Sequence, residues 1–348
     1  MDITTERLKC RLAWCSQSQD LFNHAATAEW AKPLPFSIDP EYFPRIVESL
    51  QHAPQSRRVG ILFEQCFESY LRVQQANDDA TAGFDNIHAR VQVNHPSLKA
   101  TVGEMDFLFR DQFHHIDVHA ELAVKFYLGV GSAPEQLANM DAWIGPNKKD
   151  RLDLKFAKLF EQQLLLSKNA HAVSTLKALG FNPQTLHQQY LVKGMLFWPF
   201  WLSDQPRAQT AALLPTTINP DCEQGYWLEL HQLPNLWQQS LELALSQPIR
   251  WLILDRLEWI DDLSCYLKPE LDNFLTEQQR WFTSLEALAS AVDSQQAQFS
   301  NPVQVARFMP GSAMPEPAMT GSAVEPNTQH APLITRYFVA PNSWSEMT

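Results

Sequence analysis

Apolar residues recur at helical spacing along "VGILFEQCFESYLRVQ". Ile61, Leu62, Phe63, Phe67, Tyr70 and Leu71 form a stripe that predicts an amphipathic helix. After a turn-rich stretch, "ANDDATAGFDN", the period changes to two. "IHARVQVN", "TVGEMDFLFRD" and "HHIDVHAELAVKFYLGV" each alternate and are rich in β-branched and aromatic residues, so they predict three consecutive strands. The polar "RDQF" between the last two predicts a hairpin turn. "WIGPNKKDRLDLKFAKLFEQQLLLSK" predicts a loop that opens into one long amphipathic helix, with Leu152, Phe156, Leu159, Phe160 and Leu164 on a broad face. Upstream, residues from Thr4 to about Glu29 predict a helix, followed by the Pro-rich loop "AKPLPFSIDPEYFP".

The second half is less periodic. "QQYLVKGMLFWPFW", "GYWLEL", "RWLILDRLEWI" and "RYFVA" predict strands, and "PNLWQQSLELALSQ" and "EQQRWFTSLEALASAV" predict helices. "PGSAMPEPAMTGSAVEPNTQHAP" reads as a Pro-rich linker. The expected organisation is an N-terminal helical segment over 1–55, an α/β core over 56–180, an α+β extension over 181–305, and a linker with a C-terminal strand over 306–348.

Charge interrupts this apolar pattern at informative places. Every second residue of a strand shares a face. In the third strand His119, Glu121, Ala123 and Lys125 therefore stand together, opposite the apolar Val118, Ala120, Leu122, Val124 and Phe126. In the second strand Glu104, Asp106 and Leu108 stand opposite Met105, Phe107 and Phe109. If the two strands pair, Asp106 meets Glu121 and Lys125. Glu64, on the preceding helix, adds a third carboxylate. Such a patch suits a hard divalent cation, because Mg²⁺ takes carboxylate oxygens and keeps several waters. The alternative is a structural ion pair within a sheet.

The totals narrow the classes. The 348 residues are 45% hydrophobic with 11 Trp and 20 Phe, enough for a large core. Net charge is −12, from 27 basic and 39 acidic residues, which argues against a general nucleic-acid coat but allows a local basic cleft. No window approaches the length of a membrane span, and the N-terminus lacks a signal-peptide run, so a cytoplasmic protein without membrane contact is expected. Cys10, Cys15, Cys66, Cys222 and Cys265 are odd in number and irregular in spacing, which reads as reduced thiols. No P-loop, dinucleotide fingerprint or nucleophile elbow is present.

The order of a helix glutamate, a strand aspartate, then an acid and a lysine on the next strand resembles the PD-(D/E)XK nuclease superfamily. More closely, "GEMDFLF", "HAELAVKFYLG" and "WIGPNKKDRLDLK" resemble a bacterial family of unknown function that has been grouped with that superfamily by remote similarity. The close resemblance covers most of the chain, and the nuclease-like part covers about Arg57 to Lys168. It implies a restriction-endonuclease-like α/β core, with a mixed central sheet flanked by helices, and an α+β C-terminal extension. It also implies Mg²⁺-dependent hydrolysis of phosphodiesters in DNA or RNA, with Mn²⁺ as a substitute metal. Asp106, Glu121 and Glu64 would be the metal ligands, and Lys125 would orient the attacking water, giving Lys125, Glu64, Asp106 and Glu121 as the catalytic set. One feature departs from the pattern: the usual acid position, two before the lysine, is Ala123, and Glu121 lies two residues further back. The other reading is a catalytically degenerate module that binds nucleic acid or a protein partner.

Three secondary features complete the reading. "WIGPNKKDRLDLKFAK" carries five basic residues, Lys148, Lys149, Arg151, Lys155 and Lys158, against Asp150 and Asp153. With a helix starting near Pro146 or Asn147, backbone N–H groups would join Asn147, Lys148, Lys149, Arg151 and Lys155 in meeting phosphates. A solvated first helical turn is the plainer account. His114, His115 and His119 lack a partner Cys or His at zinc spacing, and the tryptophans of the second half fall mostly within apolar runs, as core residues do.

Overall fold

The three predicted strands form a meander in the computed structural model, which describes residues 3–54, 56–75, 83–95, 100–244, 248–299, 301–309 and 333–347. In chain order the elements of the first half are α1 (Ile3–Gln17), α2 (His24–Thr27), β1 (Lys32–Pro33), α3 (Phe43–Gln51), α4 (Val59–Gln75), β2 (Phe84–Asn94), β3 (Thr101–Asp111), β4 (Ile116–Gly129), β5 (Trp143–Ile144), α5 (Leu152–Lys158), α6 (Ala172–Ala178), β6 (His187–Pro199) and α7 (Arg207–Ala211). The second half holds β7 (Glu223–Glu229), α8 (Leu233–Leu243), β8 (Arg250–Ile253), α9 (Pro269–Glu277), β9 (Trp281–Phe282), α10 (Leu285–Phe299), β10 (Val303–Met309) and β11 (Leu333–Ala340). The chain divides into two units: residues up to Gln224 with Arg256–Asp261, and Gly225–Asp255 with Asp262–Thr348.

In the first unit β2, β3 and β4 are antiparallel neighbours, while β6 runs parallel to β4 from Val118↔His187 to Leu128↔Phe197. Short β1 extends β6 in parallel, and β5 pairs antiparallel with the end of β4. The result is a mixed sheet between helices. On one face α4 lays Phe67 edge-on to Phe107, with ring centroids 5.1 Å apart, and Phe36 joins Phe67 and Tyr70. On another side Leu108, Val93 and Met105 pack with Leu166, Ala172, Leu176, Phe181 and Leu186, all buried.

Several expectations are corrected. The N-terminal helix ends at Gln17, because the residues after it pair with the sheet. Leu21 N–H donates to the Val192 carbonyl at 2.7 Å, and buried Asp20 pairs with Lys193 at 2.9 Å. The expected long helix after Trp143 is three pieces: α5, a π-helical segment Leu159–Gln163, and a 3-10 turn Leu166–Lys168. α5 begins at Leu152, not near Pro146, because residues 145–150 close a turn in which Gly145 N–H donates to the Asp150 carbonyl (2.8 Å) and Lys148 N–H to the Gly145 carbonyl (2.8 Å). Lys148 takes a φ of 60° in that turn.

In the second unit β7 lies parallel to β11, followed by antiparallel β10, β8 and β9. "RWLILDRLEWI" is a strand only to Ile253. Arg256–Ile260 forms a 3-10 turn of the first unit, where Glu258 pairs with Arg7 and Asp261 with Arg11. The helix expected from "EQQRWFTSLEALASAV" starts only at Leu285, after Ser284 accepts from the Ala287 N–H at 3.3 Å; Trp281 and Phe282 before it form β9. The linker, residues 310–332, lies outside the described residues. Trp198 and Trp251 are fully buried, as expected of core tryptophans, whereas Trp201 is exposed. All five cysteines are buried, and none forms a disulfide. Among the described residues no helix is long and apolar enough to cross a membrane.

Candidate functional site

The site begins where β3 and β4 part. Their pairing runs from Asp111↔Ile116 to Phe107↔Ala120 and stops there, although β4 continues to Gly129 against β6. One step further the backbone donors turn to side chains. Leu122 N–H donates to Asp106 Oδ2 at 2.9 Å, and Asp106 N–H donates to Glu121 Oε1 at 3.4 Å. Two carboxylates thus replace two rungs of the ladder, which keeps the parted backbone groups satisfied and holds the acids side by side. The expected meeting of Asp106 and Glu121 is present.

Glu121 has no solvent exposure. His119 Nε2 lies 3.0 Å from its Oε1, and Gln163 Nε2 donates to its Oε2 at 2.6 Å. His119, also fully buried, has Nδ1 at 3.0 Å from Ser167 Oγ, which accepts from Gln188 Nε2 at 3.2 Å. When Glu121 is ionised its carboxylate can only accept, so His119 Nε2 is then the donor to it and Nδ1 is left to accept from the Ser167 hydroxyl. Burial pulls His119 down to about 4, so the imidazole is neutral and serves as a donor to Glu121.

Burial is also the first cause acting on all three acids. It lifts Glu121 to about 7, against the opposing charge of Lys155. It lifts Asp106 to about 7, helped by the Glu121 charge. It lifts Glu64 to about 7, helped by Asp106 and opposed by Arg90. Glu64 is therefore within electrostatic reach of Asp106, while its Oε2 lies 3.6 Å from Arg90 Nη1. Arg90 also pairs with Glu68 at 2.8 Å. The rungs Ala89↔Phe107 and Val91↔Met105 put Arg90 level with Asp106, and its φ of 56° breaks the alternation there. A non-glycine residue in that region is uncommon and concentrates at functional sites.

The lysines separate. Lys125 is ion-paired with Asp150, and Tyr127 OH donates to the same carboxylate at 3.4 Å. Lys155, 9% exposed, donates to Gln163 Oε1 at 2.9 Å. Burial first, and then the Lys125 charge, bring Lys155 down to about 8, against the pull of Glu121 and Asp106. Of the other basic-segment residues, Asn147 Oδ1 accepts from the Lys149 N–H at 3.0 Å and Arg151 pairs with Asp153 at 2.6 Å. The backbone N–H groups of Lys148 and Lys149 are thus engaged within the turn and are not a helix N-terminus.

Sequence reasoning did not single out Gln163, Ser167, Gln188 or Arg90. The signal for Gln163 and Ser167 is a polar side chain inside an apolar helical stripe, which reads as solvent-facing unless the π turn is known.

Asp106 and Glu121 are the residues here that could hold a small hard cation. Mg²⁺ is commonly held by one or two carboxylates, with water and substrate phosphate filling its other positions. Among the described residues no group of three or more His, Cys, Asp or Glu side chains stands at ligating positions. The protein part of such a set would therefore be Asp106 and Glu121.

Residues 11–317 match the family model described as "Domain of unknown function (DUF1853)". No curated protein and no solved structure matches the chain.

Proposed function

We propose that this chain, which belongs to the DUF1853 family, is a Mg²⁺-dependent nuclease that hydrolyses phosphodiester bonds of DNA or RNA, with the PD-(D/E)XK arrangement as the nearest model for its core. The observation that carries this reading is the pair of adjacent carboxylates, half-buried Asp106 and buried Glu121, at the point where β3 and β4 part. Burial lifts both acids to about 7, and the Glu121 charge adds to the lift on Asp106, so ionising the two together is costly, and a cation between them would offset that cost. Asp106 and Glu121 would hold the metal, with Glu64 adding negative charge nearby. A bound Mg²⁺ would polarise the phosphodiester and acidify a water. His119, fixed by Ser167 and Gln188, keeps Glu121 oriented as an acceptor. Gln163 fixes its second oxygen.

One observation favours a second reading, a module that binds nucleic acid or a protein without cutting. Both Glu121 oxygens already accept or face a protein donor, and Ala123 stands where the superfamily's acid would be. Cleavage separates the two. Wild type is expected to cut labelled single- or double-stranded DNA or RNA with Mg²⁺ or Mn²⁺ and to stop with EDTA, while Glu121→Ala lowers the rate by about 100-fold or more. Binding of the same substrates with no cleavage under any metal would decide for the second reading.

A further inference from the structure

We infer that Lys155 of α5, rather than Lys125 of β4, is the lysine that meets the substrate phosphate in this site. The assignment rests on the nuclease reading above, and on positions that the motif order alone would not give.

Lys125 stands four residues beyond Glu121 on the same strand, roughly 13 Å along it at 3.3 Å per residue. Its ammonium is ion-paired with Asp150, in the turn before α5, and both side chains are 30% exposed. Lys155 is buried, and it reaches Glu121 through a single amide. Its Nζ donates to Gln163 Oε1 at 2.9 Å, and Gln163 Nε2 donates to Glu121 Oε2 at 2.6 Å. The amide is fixed in this sense, since a flip would set its NH₂ against the ammonium and its oxygen against the carboxylate.

The π segment makes this bridge possible. In a continuous α-helix, residues eight apart are rotated by about 80° from each other at 3.6 residues per turn. Leu164 N–H instead donates to the Leu159 carbonyl at 3.0 Å, a five-residue step that widens the turn. The extra residue per turn brings Gln163 back toward the face of Lys155. Such π turns occur often at functional sites.

The charged groups that act on Lys155 come from three elements. Asp106 is on β3, Glu121 and Lys125 on β4, and Lys158 on its own helix. Among the described residues its ammonium makes one hydrogen bond, to Gln163. An ammonium has three donors, which leaves two for water or for a phosphoryl oxygen beside Asp106 and Glu121. The geometry also accounts for the departure at Ala123. The usual acid-to-lysine spacing along one strand is not required when the lysine comes from the helix above it.

The test compares Lys155→Met, Lys155→Gln and Lys125→Met with wild type in two assays, with thermal melting as the folding control. One is single-turnover cleavage of a labelled oligonucleotide in Mg²⁺ or Mn²⁺. The other is the affinity for that oligonucleotide in Ca²⁺ as a function of salt. Loss of Lys155 is expected to slow cleavage about 100-fold, to weaken binding about tenfold, and to reduce the salt slope of binding by about one. Lys125→Met is expected to have the smaller effect in each. Lys155→Gln retains a bond to Gln163 and serves if the Met variant does not fold. If wild type binds but never cuts, and only the Lys155 variants lose binding and salt slope, the nuclease reading fails and the Lys155 assignment stands. The assignment is overturned if Lys125→Met has the equal or larger effect, if no variant changes either readout, or if wild type binds no oligonucleotide.

Discussion

Gly194→Ala is expected to destabilise the protein by about 4 kcal/mol or more, in the range reserved for severe steric mismatch in a core. Gly194 lies opposite Lys125 in the parallel pairing of β4 and β6. A Cβ built on it would stand 2.2 Å from the Lys125 carbonyl oxygen and 3.1 Å from the carbonyl carbon. The obstacle is backbone, so no rotamer change can relieve it. The strands would have to separate along a register that runs from Val118 to Leu128 and carries Glu121 in its middle. Urea unfolding followed by circular dichroism measures this directly. A midpoint unchanged from wild type would show that β4 and β6 do not approach this closely. The same substitution is expected to disable the site, since Glu121 is aimed from that strand.

Asp106→Asn is expected to do the reverse for stability while removing function. Burial and the neighbouring Glu121 lift Asp106 from 3.8 to about 7. Between those values the native state holds a proton that the unfolded chain has released. Stability therefore falls as pH rises through this window, and the loss is complete above it. Asparagine carries no charge to bury, and its amide can donate to Glu121 much as the protonated acid does. At pH 8 without divalent cations the variant should be more stable than wild type by about 2 kcal/mol. That is about half of what a three-unit displacement would be worth, because the side chain keeps some contact with solvent. At pH 5 the two proteins should differ little. Thermal or urea unfolding at both pH values reads the difference. A variant less stable than wild type at pH 8 would mean that Asp106 is an ordinary structural acid, held by the Leu122 N–H and by nothing that opposes its charge. A group that costs stability in the empty protein, and gains from a ligand, is the pattern expected of a binding site.

How far the sequence revealed this can be seen residue by residue. β3 and the body of β4 were legible, because alternation over "TVGEMDFLFRD" and "HHIDVHAELAVKFYLGV" leaves few other periods, but the turn falls at residues 112–115 rather than at "RDQF", so His114 and His115 lie in it and β4 starts at Ile116. The same alternation put Asp106 and Glu121 on facing positions. The place where β3 and β4 separate was not legible, since pairing is a property of two strands and nothing in either one marks its end. The π segment was hidden because Leu159, Phe160 and Leu164 satisfy an ordinary helical stripe as well as a widened one. That is why Lys155, with its apolar surroundings, read as a residue of secondary rank, while Lys125, at strand spacing from Glu121, ranked first. Asp150 resolves the two: it takes Lys125 away from the acids. β10 escaped notice for another reason. "VQVARFM" is buried along its whole length, including Gln304 and Arg307, so its polar residues disguise a strand covered on both faces.

The most direct test of the central claim, that the fork between β3 and β4 holds a divalent cation, is a titration of Mn²⁺ into wild type and Asp106→Asn at pH 8, followed by calorimetry or by the loss of the free Mn²⁺ resonance signal. The account predicts one saturable site in wild type, formed by Asp106 and Glu121, both ionised at this pH, and loss of that site in the variant. Equal binding by both proteins, or none by either, would contradict it.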